Sequence, residues 1–282
     1  MAPARNARVL FNEIPSGYPI PGKTTVYDDS QTIDIDGVPL NGGFLIKVLI
    51  LSIDPYLRGR MRDPSIKSYS IAYTIGAPLD NFGVGVVLRS ESDELKVGDH
   101  VYGYYPFQEY VVYEDIAALR LARVLKNEEG LPWSVYVGVC GLPGHTAHHG
   151  WMEFAKPKQG DVVFVTTAKQ AGCKVIASAG SDEKVTILKS IGTDVAFNYK
   201  KTIDVLMKEG PIDIYRDNVG GESLDAALEV AAWHARECGM ISAYNNADDY
   251  AMKNLPLIFT KSLTLYDFTV MDFHHKYADQ GG

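Results

Sequence analysis

Cysteine is scarce in this sequence and long hydrophobic runs are missing. The 282 residues hold only Cys140, Cys173 and Cys238. An odd number of widely spaced thiols builds no disulfide framework, so a reducing, cytoplasmic setting is expected. No apolar stretch reaches the roughly 18 residues a membrane-spanning helix needs. The segment from Met1 to Arg8 lacks the apolar centre of a secretory signal. Positive charge is outweighed, with 27 Lys and Arg against 35 Asp and Glu. A net charge of −8 disfavours nucleic acid as a partner. The densest basic stretch, Arg58, Arg60, Arg62 and Lys67, reads as a solvated face. Ligand sets for metal are missing as well. His145, His148 and His149, like the pair His274 and His275, have no further Cys or carboxylate at ligand spacing, so no metal is expected. A hydrolase is disfavoured because no Gly-x-Ser-x-Gly elbow occurs and the cysteines lack a local partner.

What is present is an ordinary soluble composition, 46% hydrophobic and 22% charged. It is enough for a sizeable core and more consistent with two domains than with one. The spacing of elements places them at 1–128 and 129–282. The first part carries short β-branched and aromatic runs, among them Gly43–Ser52, Val84–Leu88, Val97–Gly103 and Glu109–Val112. Turn residues separate them, and together they predict a small antiparallel barrel. Gly98 and Asp99 form one such turn, suited to positive φ and to a side-chain bond to the backbone.

Beyond residue 130 strands and helices alternate, which predicts a parallel sheet with crossover helices. Expected strands are Asp161–Val165, Cys173–Ala177, Val195–Tyr199, Ile212–Tyr215 and Gly239–Ser242. Expected helices include one that starts at Ser181 as N-cap and stops at Gly192. Others cover Val205–Glu209 and Leu224–Ala235. The first crossover is too short. Only Thr166 to Gly172 separate the first two strands, where a parallel connection takes about a dozen residues or more. No Gly-x-Gly-x-x-Gly occurs, so the usual backbone cradle for a pyrophosphate is missing. Either the sheet keeps its order over a rearranged connection, or the sequence lacks a segment that the working protein has. The second reading is favoured, because Ala168 to Cys173 reads like the end of a longer helix.

Four stretches then carry a family resemblance. They are Ser52–Met61, Asn81–Gly85, Asp217–Gly221 and Cys238–Asn245. In this order, over nearly the whole chain, they resemble the zinc-independent medium-chain dehydrogenase/reductases. The group is that of leukotriene B4 12-hydroxydehydrogenase, prostaglandin reductase and the NADP-dependent alkenal double-bond reductases. The resemblance implies an α/β protein with a GroES-like β-barrel domain and a Rossmann-type parallel sheet domain. Against it, the first crossover is shortened and the C-terminal part is truncated, since the family continues beyond Gly282. It implies NADP as coenzyme and reduction of the C=C bond of α,β-unsaturated aldehydes and ketones. By motif, Lys184 and Tyr199 match the family's ribose-phosphate partners. Asn218, the run Cys238, Gly239, Met240, Ile241, Ser242, Ala243 and Tyr244, and then Phe268, Thr269 and Val270 match coenzyme-contacting positions. The resemblance also implies that Thr146 borders the nicotinamide.

The residues agree with NADP. An NAD site places an acid at the end of the second strand, whereas Ala177–Gly180 has none and Lys184 follows. Hydride addition leaves an enolate, whose oxygen needs a donor and whose α-carbon needs a proton. Tyr56 and Tyr244 are the candidate catalytic phenols, with Phe82 and Phe268 shaping an apolar pocket. Two other readings stay open, a zinc-free quinone reductase and an inactive remnant without a phosphate-binding loop. The partner is expected to be a small enal or enone, with neither nucleic acid nor membrane, and a homodimer stays open.

Overall fold

The computed structural model describes residues 3–164, 172–238, 252–266 and 268–277. The chain divides into two compact units, Met1–His145 and Thr146–Gly282. This division lies beyond the expected boundary at 128/129. The reason is packing, because Tyr136 and Val137 are buried against Phe82, Val84 and Tyr102 of the first unit.

In the first unit β1 (Ala4–Arg5), β2 (Arg8–Phe11), β3 (Thr25–Asp28) and β4 (Thr32–Ile33) make two ribbons, β1 with β4 and β2 with β3. A five-stranded antiparallel sheet follows. It contains β5 (Phe44–Leu51), β6 (Asp80–Ser90), β7 (His100–Pro106), β8 (Tyr110–Tyr113) and β9 (Arg123–Val124), in the order β8-β5-β6-β7-β9. Its core is Phe44, Ile46, Val87, Val101, Tyr105 and Leu119. These are the apolar runs expected from the sequence, although β7 starts at His100. Residues 96–99 form the turn, with Gly98 at φ 93° and Asp99 Oδ2 accepting from Lys96 N at 2.7 Å. A helical turn, α1 (Tyr56–Arg60), leaves the end of β5 and puts Tyr56 beside the start of β6. The unit also holds α2 (Trp133–Val137), and α3 (Leu142–Gly150) spans the division.

In the second unit the strands are β10 (Val162–Phe164), β11 (Lys174–Ala179), β12 (Val195–Asn198), β13 (Ile212–Arg216), β14 (Ala231–Cys238) and β15 (Thr264–Leu265). They form one parallel sheet of order β12-β11-β10-β13-β14-β15. Strand order therefore reverses at β10, the switch point where such sheets bind dinucleotides. The sheet keeps its order although only residues 165–173 join β10 to β11. Helices α4 (Asp182–Ser190), α5 (Thr202–Glu209), α6 (Gly221–Val230), α7 (Pro256–Thr260) and α8 (Val270–Tyr277) complete the unit. Ser181 caps α4 as expected, its hydroxyl accepting from Lys184 N, and Gly192 follows with φ 96°. Phe164, Ile176, Phe197, Leu206 and Tyr215 build the core on one sheet face, and Val163, Val175 and Ile214 pack with Ala155 on the other.

One expectation is corrected. Helix α6 ends at Val230, not at Ala235, and residues 231–238 are strand. Pairing with β13 overrides the helical period: Ile212 faces Ala231, then Ile214 faces Arg236. The extra residues loop out with His234 at φ 63°. The strand expected at Gly239–Ser242 lies outside the described residues.

Candidate active site

In the first unit a polar network is buried where β5, α1 and the start of β6 meet. Asn81 is fully buried on β6. Its Nδ2 donates to Ser52 O at 2.9 Å and to Asp54 Oδ2 at 2.7 Å. Tyr56 OH donates to Asn81 Oδ1 at 2.5 Å. Burial pushes the Tyr56 phenol up to about 12, partly opposed by the nearby Arg60 charge. A protonated phenol at neutral pH is thus held at one place.

A second layer supports it. Arg60, expected on a solvated face, is 5% exposed. Its guanidinium pairs with Asp80, donates to Ile71 O and Asp80 O, and stacks over the Tyr73 ring at 3.9 Å. Burial works against its charge, but the Asp80 carboxylate together with the Tyr73 and Tyr104 phenols more than offsets this and raises the guanidinium. Arg60 Nη1 also donates to Tyr104 OH, which donates to Asp80 Oδ1 at 2.8 Å. Arg58 and Arg62 tie down loops through Gly17 O, Pro15 O and Gly59 O. The three arginines are therefore structural braces, held by Asp80 at the start of β6 and by loop carbonyls that the local sequence does not show, while Lys67 is exposed as expected. Phe82 is 7% exposed and stacks on Tyr102 at 5.5 Å.

In the second unit two groupings lie at the strands' C-terminal ends. Ala179 of β11 pairs with Asn198 of β12. Gly180 and Tyr199 follow directly, and a Cβ on Gly180 would come within 3.3 Å of Tyr199 Cε1. Tyr199 is half exposed and Lys184 exposed in the first turn of α4. The other grouping gathers around Arg216, which the sequence reading missed. Its Nη2 donates to Thr146 O at 3.2 Å, and its guanidinium lies 5.4 Å from the Phe268 ring centre. Arg216 thus joins two positions expected to meet the coenzyme. The available signal was a basic residue closing the strand Ile212–Arg216, just before Asp217 and Asn218. Val270 begins α8, and Thr269 N donates to Asp272 Oδ2 at 3.2 Å.

Asp217 shapes the turn that exposes Asn218. It is 1% exposed, and its Oδ1 accepts from Tyr215 OH, Val219 N and Gly220 N, each at 2.8 Å. Burial raises its pKa above the ordinary value, against those three bonds. A carboxyl raised in the folded state stabilises fully below its unfolded pKa, and that contribution fades as pH rises through the folded value. Asp217→Ala should still cost roughly 2–4 kcal/mol at neutral pH, because the buried Gly220 N–H and Tyr215 O–H lose their acceptor. Urea unfolding of the ligand-free protein measures it. Cys238 lies on β14, its backbone opposite Arg216. Gly239, Met240, Ile241, Ser242, Ala243 and Tyr244 lie outside the described residues, so the second candidate phenol has no described position.

Comparison with known proteins settles the kinship. A model for the N-terminal domain of oxidoreductases matches residues 9–121, and one described as zinc-binding dehydrogenase matches residues 162–279. The NADP-dependent oxidoreductase RED1 of Cochliobolus heterostrophus is 39% identical over 290 residues, covering 95% of this chain and 82% of that protein. The chain belongs to the NADP-dependent medium-chain dehydrogenase/reductases. A 2-alkenal reductase (NADP(+)-dependent) of Nicotiana tabacum is 36% identical, covering 96% of this chain and 83% of its own length. Among solved structures, CurA of Vibrio vulnificus in complex with NADPH matches with a TM-score of 0.82 and 27% identity, over 98% of this chain and 85% of that one.

The coenzyme of this oxidoreductase is NADP(H), and the described residues fit its adenosine end. The strand ending in Ala179 carries no acid, Gly180 leaves room against Tyr199, and Lys184 offers a cation at a helix start. Residues 165–171 of the β10 to β11 connection lie outside the described residues. The alignment to RED1 is longer than the 282 residues of this chain, so that relative carries residues with no counterpart here. The family description names zinc, yet among the described residues no group of three His, Cys, Asp or Glu is placed to hold a metal ion.

Proposed function

We propose that this oxidoreductase reduces the C=C bond of α,β-unsaturated aldehydes and ketones without zinc, hydride reaching the β-carbon. NADPH, when bound, supplies that hydride. The observation that carries the reading is the Tyr56 phenol, half-buried, protonated and fixed on Asn81. Saturating the β-carbon leaves negative charge on the carbonyl oxygen. A positioned O–H can stabilise that charge and then deliver a proton to the α-carbon, which is work a metal would otherwise do. Lys184 and Tyr199 hold the adenosine phosphate end, and Asn218, Thr146, Phe268, Thr269 and Val270 border the rest of the coenzyme. The run from Cys238 to Tyr244 belongs to the same border, with Tyr244 as the second phenol. The substrate class is supported by the tobacco alkenal reductase, 36% identical over most of both chains.

The test is NADPH consumption by the purified chain with a linear 2-alkenal, a cyclic enone and a benzoquinone, each product identified. Saturated aldehyde or ketone is expected from the first two. Turnover of the quinone alone would move the assignment to a quinone reductase. Failure to bind NADPH at all would leave the inactive reading.

A further inference from the structure

We propose that Asn81, clamped by Asp54 and Ser52, is the positioning residue that orients the Tyr56 hydroxyl for proton transfer. The inference rests on the reading of Tyr56 given above and adds a residue to it. An amide can be flipped end for end, so its orientation must be argued from its partners. Here the partners decide. Ser52 O and the Asp54 carboxylate accept only, and both lie within 2.9 Å of Asn81 Nδ2. The nitrogen must face them, so Oδ1 must face Tyr56. A carbonyl oxygen cannot donate, so the Tyr56 proton points at Asn81. The negative charge of Asp54 on the N–H side polarises the amide and strengthens its oxygen as an acceptor.

The consequence is a hydroxyl with a defined resting direction. The Tyr56 ring is held by a bond on a fully buried strand residue, and its O–H is parked on a neutral acceptor. When charge develops on a substrate oxygen, an anion accepts more strongly than an amide. The O–H then turns about its C–O bond toward the anion. Nothing else needs to move, which is the advantage of a preorganised donor. After transfer the Tyr56 oxygen carries the negative charge. It lies near Arg60, whose positive charge favours that form. Reprotonation from water closes the cycle without an oxidant or reductant.

A double-mutant cycle tests this. Asn81→Ala and, separately, Asp54→Asn are measured in the native and Tyr56→Phe backgrounds. Asp54→Asn keeps its shape, so it guards against a misfolded Asn81 variant. It removes the charge that polarises the Asn81 amide and so weakens the acceptor that faces Tyr56, while Ser52 O still holds Nδ2. Each is expected to lower kcat about tenfold with KM unchanged in the native background, the size of one lost hydrogen bond to a charged group. Neither should lower it further once Tyr56 is Phe. In the ligand-free protein, NMR of ring-labelled tyrosine should show the Tyr56 hydroxyl proton broadened by solvent exchange in Asp54→Asn. Losses that persist undiminished in the Tyr56→Phe background would overturn the proposal, since Asn81 would then act structurally. So would native kcat in both variants while Tyr56→Phe is impaired. If Tyr56→Phe alone keeps full kcat, the reading of Tyr56 is what fails, and this proposal falls with it.

Discussion

Replacing Lys184 by Ala should weaken NADPH binding roughly 10- to 100-fold, the range for one charge-assisted contact to a phosphate, and leave NADH binding nearly unchanged. Lys184 sits in the first turn of α4, after Asp182 and Glu183. The helix dipole welcomes those two acids at that end and disfavours a cation. The lysine is exposed and its backbone N–H is already used by Ser181. Nothing in the described fold needs its charge there. Its removal should therefore leave the melting temperature unchanged or slightly higher while coenzyme affinity falls. That combination separates a ligand contact from a structural one. The loss should shrink with added salt, because the site is open to solvent. Calorimetric titration of both coenzymes into native and variant protein measures the effect. Equal weakening for NADPH and NADH would remove the 2′-phosphate from the argument.

The same segment shows what the sequence makes legible. Strands β10 to β13 are predominantly apolar because both sheet faces are covered, so their positions can be read directly. The α4 cap is legible because Ser181 and Gly192 do local work. The α6 to β14 boundary is not. Ala231 to Ala235 carry no β-specific signature, and Ala235 is buried only because Leu228 and Leu263 close over it. That is a tertiary fact. The Tyr56 site divides in the same way. The phenol is legible by motif, but its acceptor lies 25 residues away on β6. Arg60 looked solvated because its carboxylate partner, Asp80, belongs to a strand paired elsewhere. A polar residue inside an apolar strand, as Asn81 is beside Phe82, was the one local hint.

Tyr56→Phe is the sharpest test of the proposed chemistry. It should lower kcat for enal reduction by roughly 10²–10⁴, the usual worth of a positioned general acid, with KM and NADPH affinity little changed. The ring stays, so packing against Phe11, Leu57 and Met61 survives. What is lost is the O–H, which leaves Asn81 Oδ1 buried without its donor, at a stability cost of about 1–3 kcal/mol. That cost is too small to unfold an ordinary domain, so activity and stability can be read separately on the same sample. Because the phenol titrates near 12, the native enzyme should keep its acid through the neutral range, and Tyr56 should impose no alkaline limb on kcat until well above pH 10. If Tyr244 alone delivers the proton, Tyr56→Phe will change kcat less than fivefold and Tyr244→Phe will carry the loss. A deuterium solvent isotope effect that disappears in one variant and persists in the other would identify which hydroxyl moves its proton in the slow step.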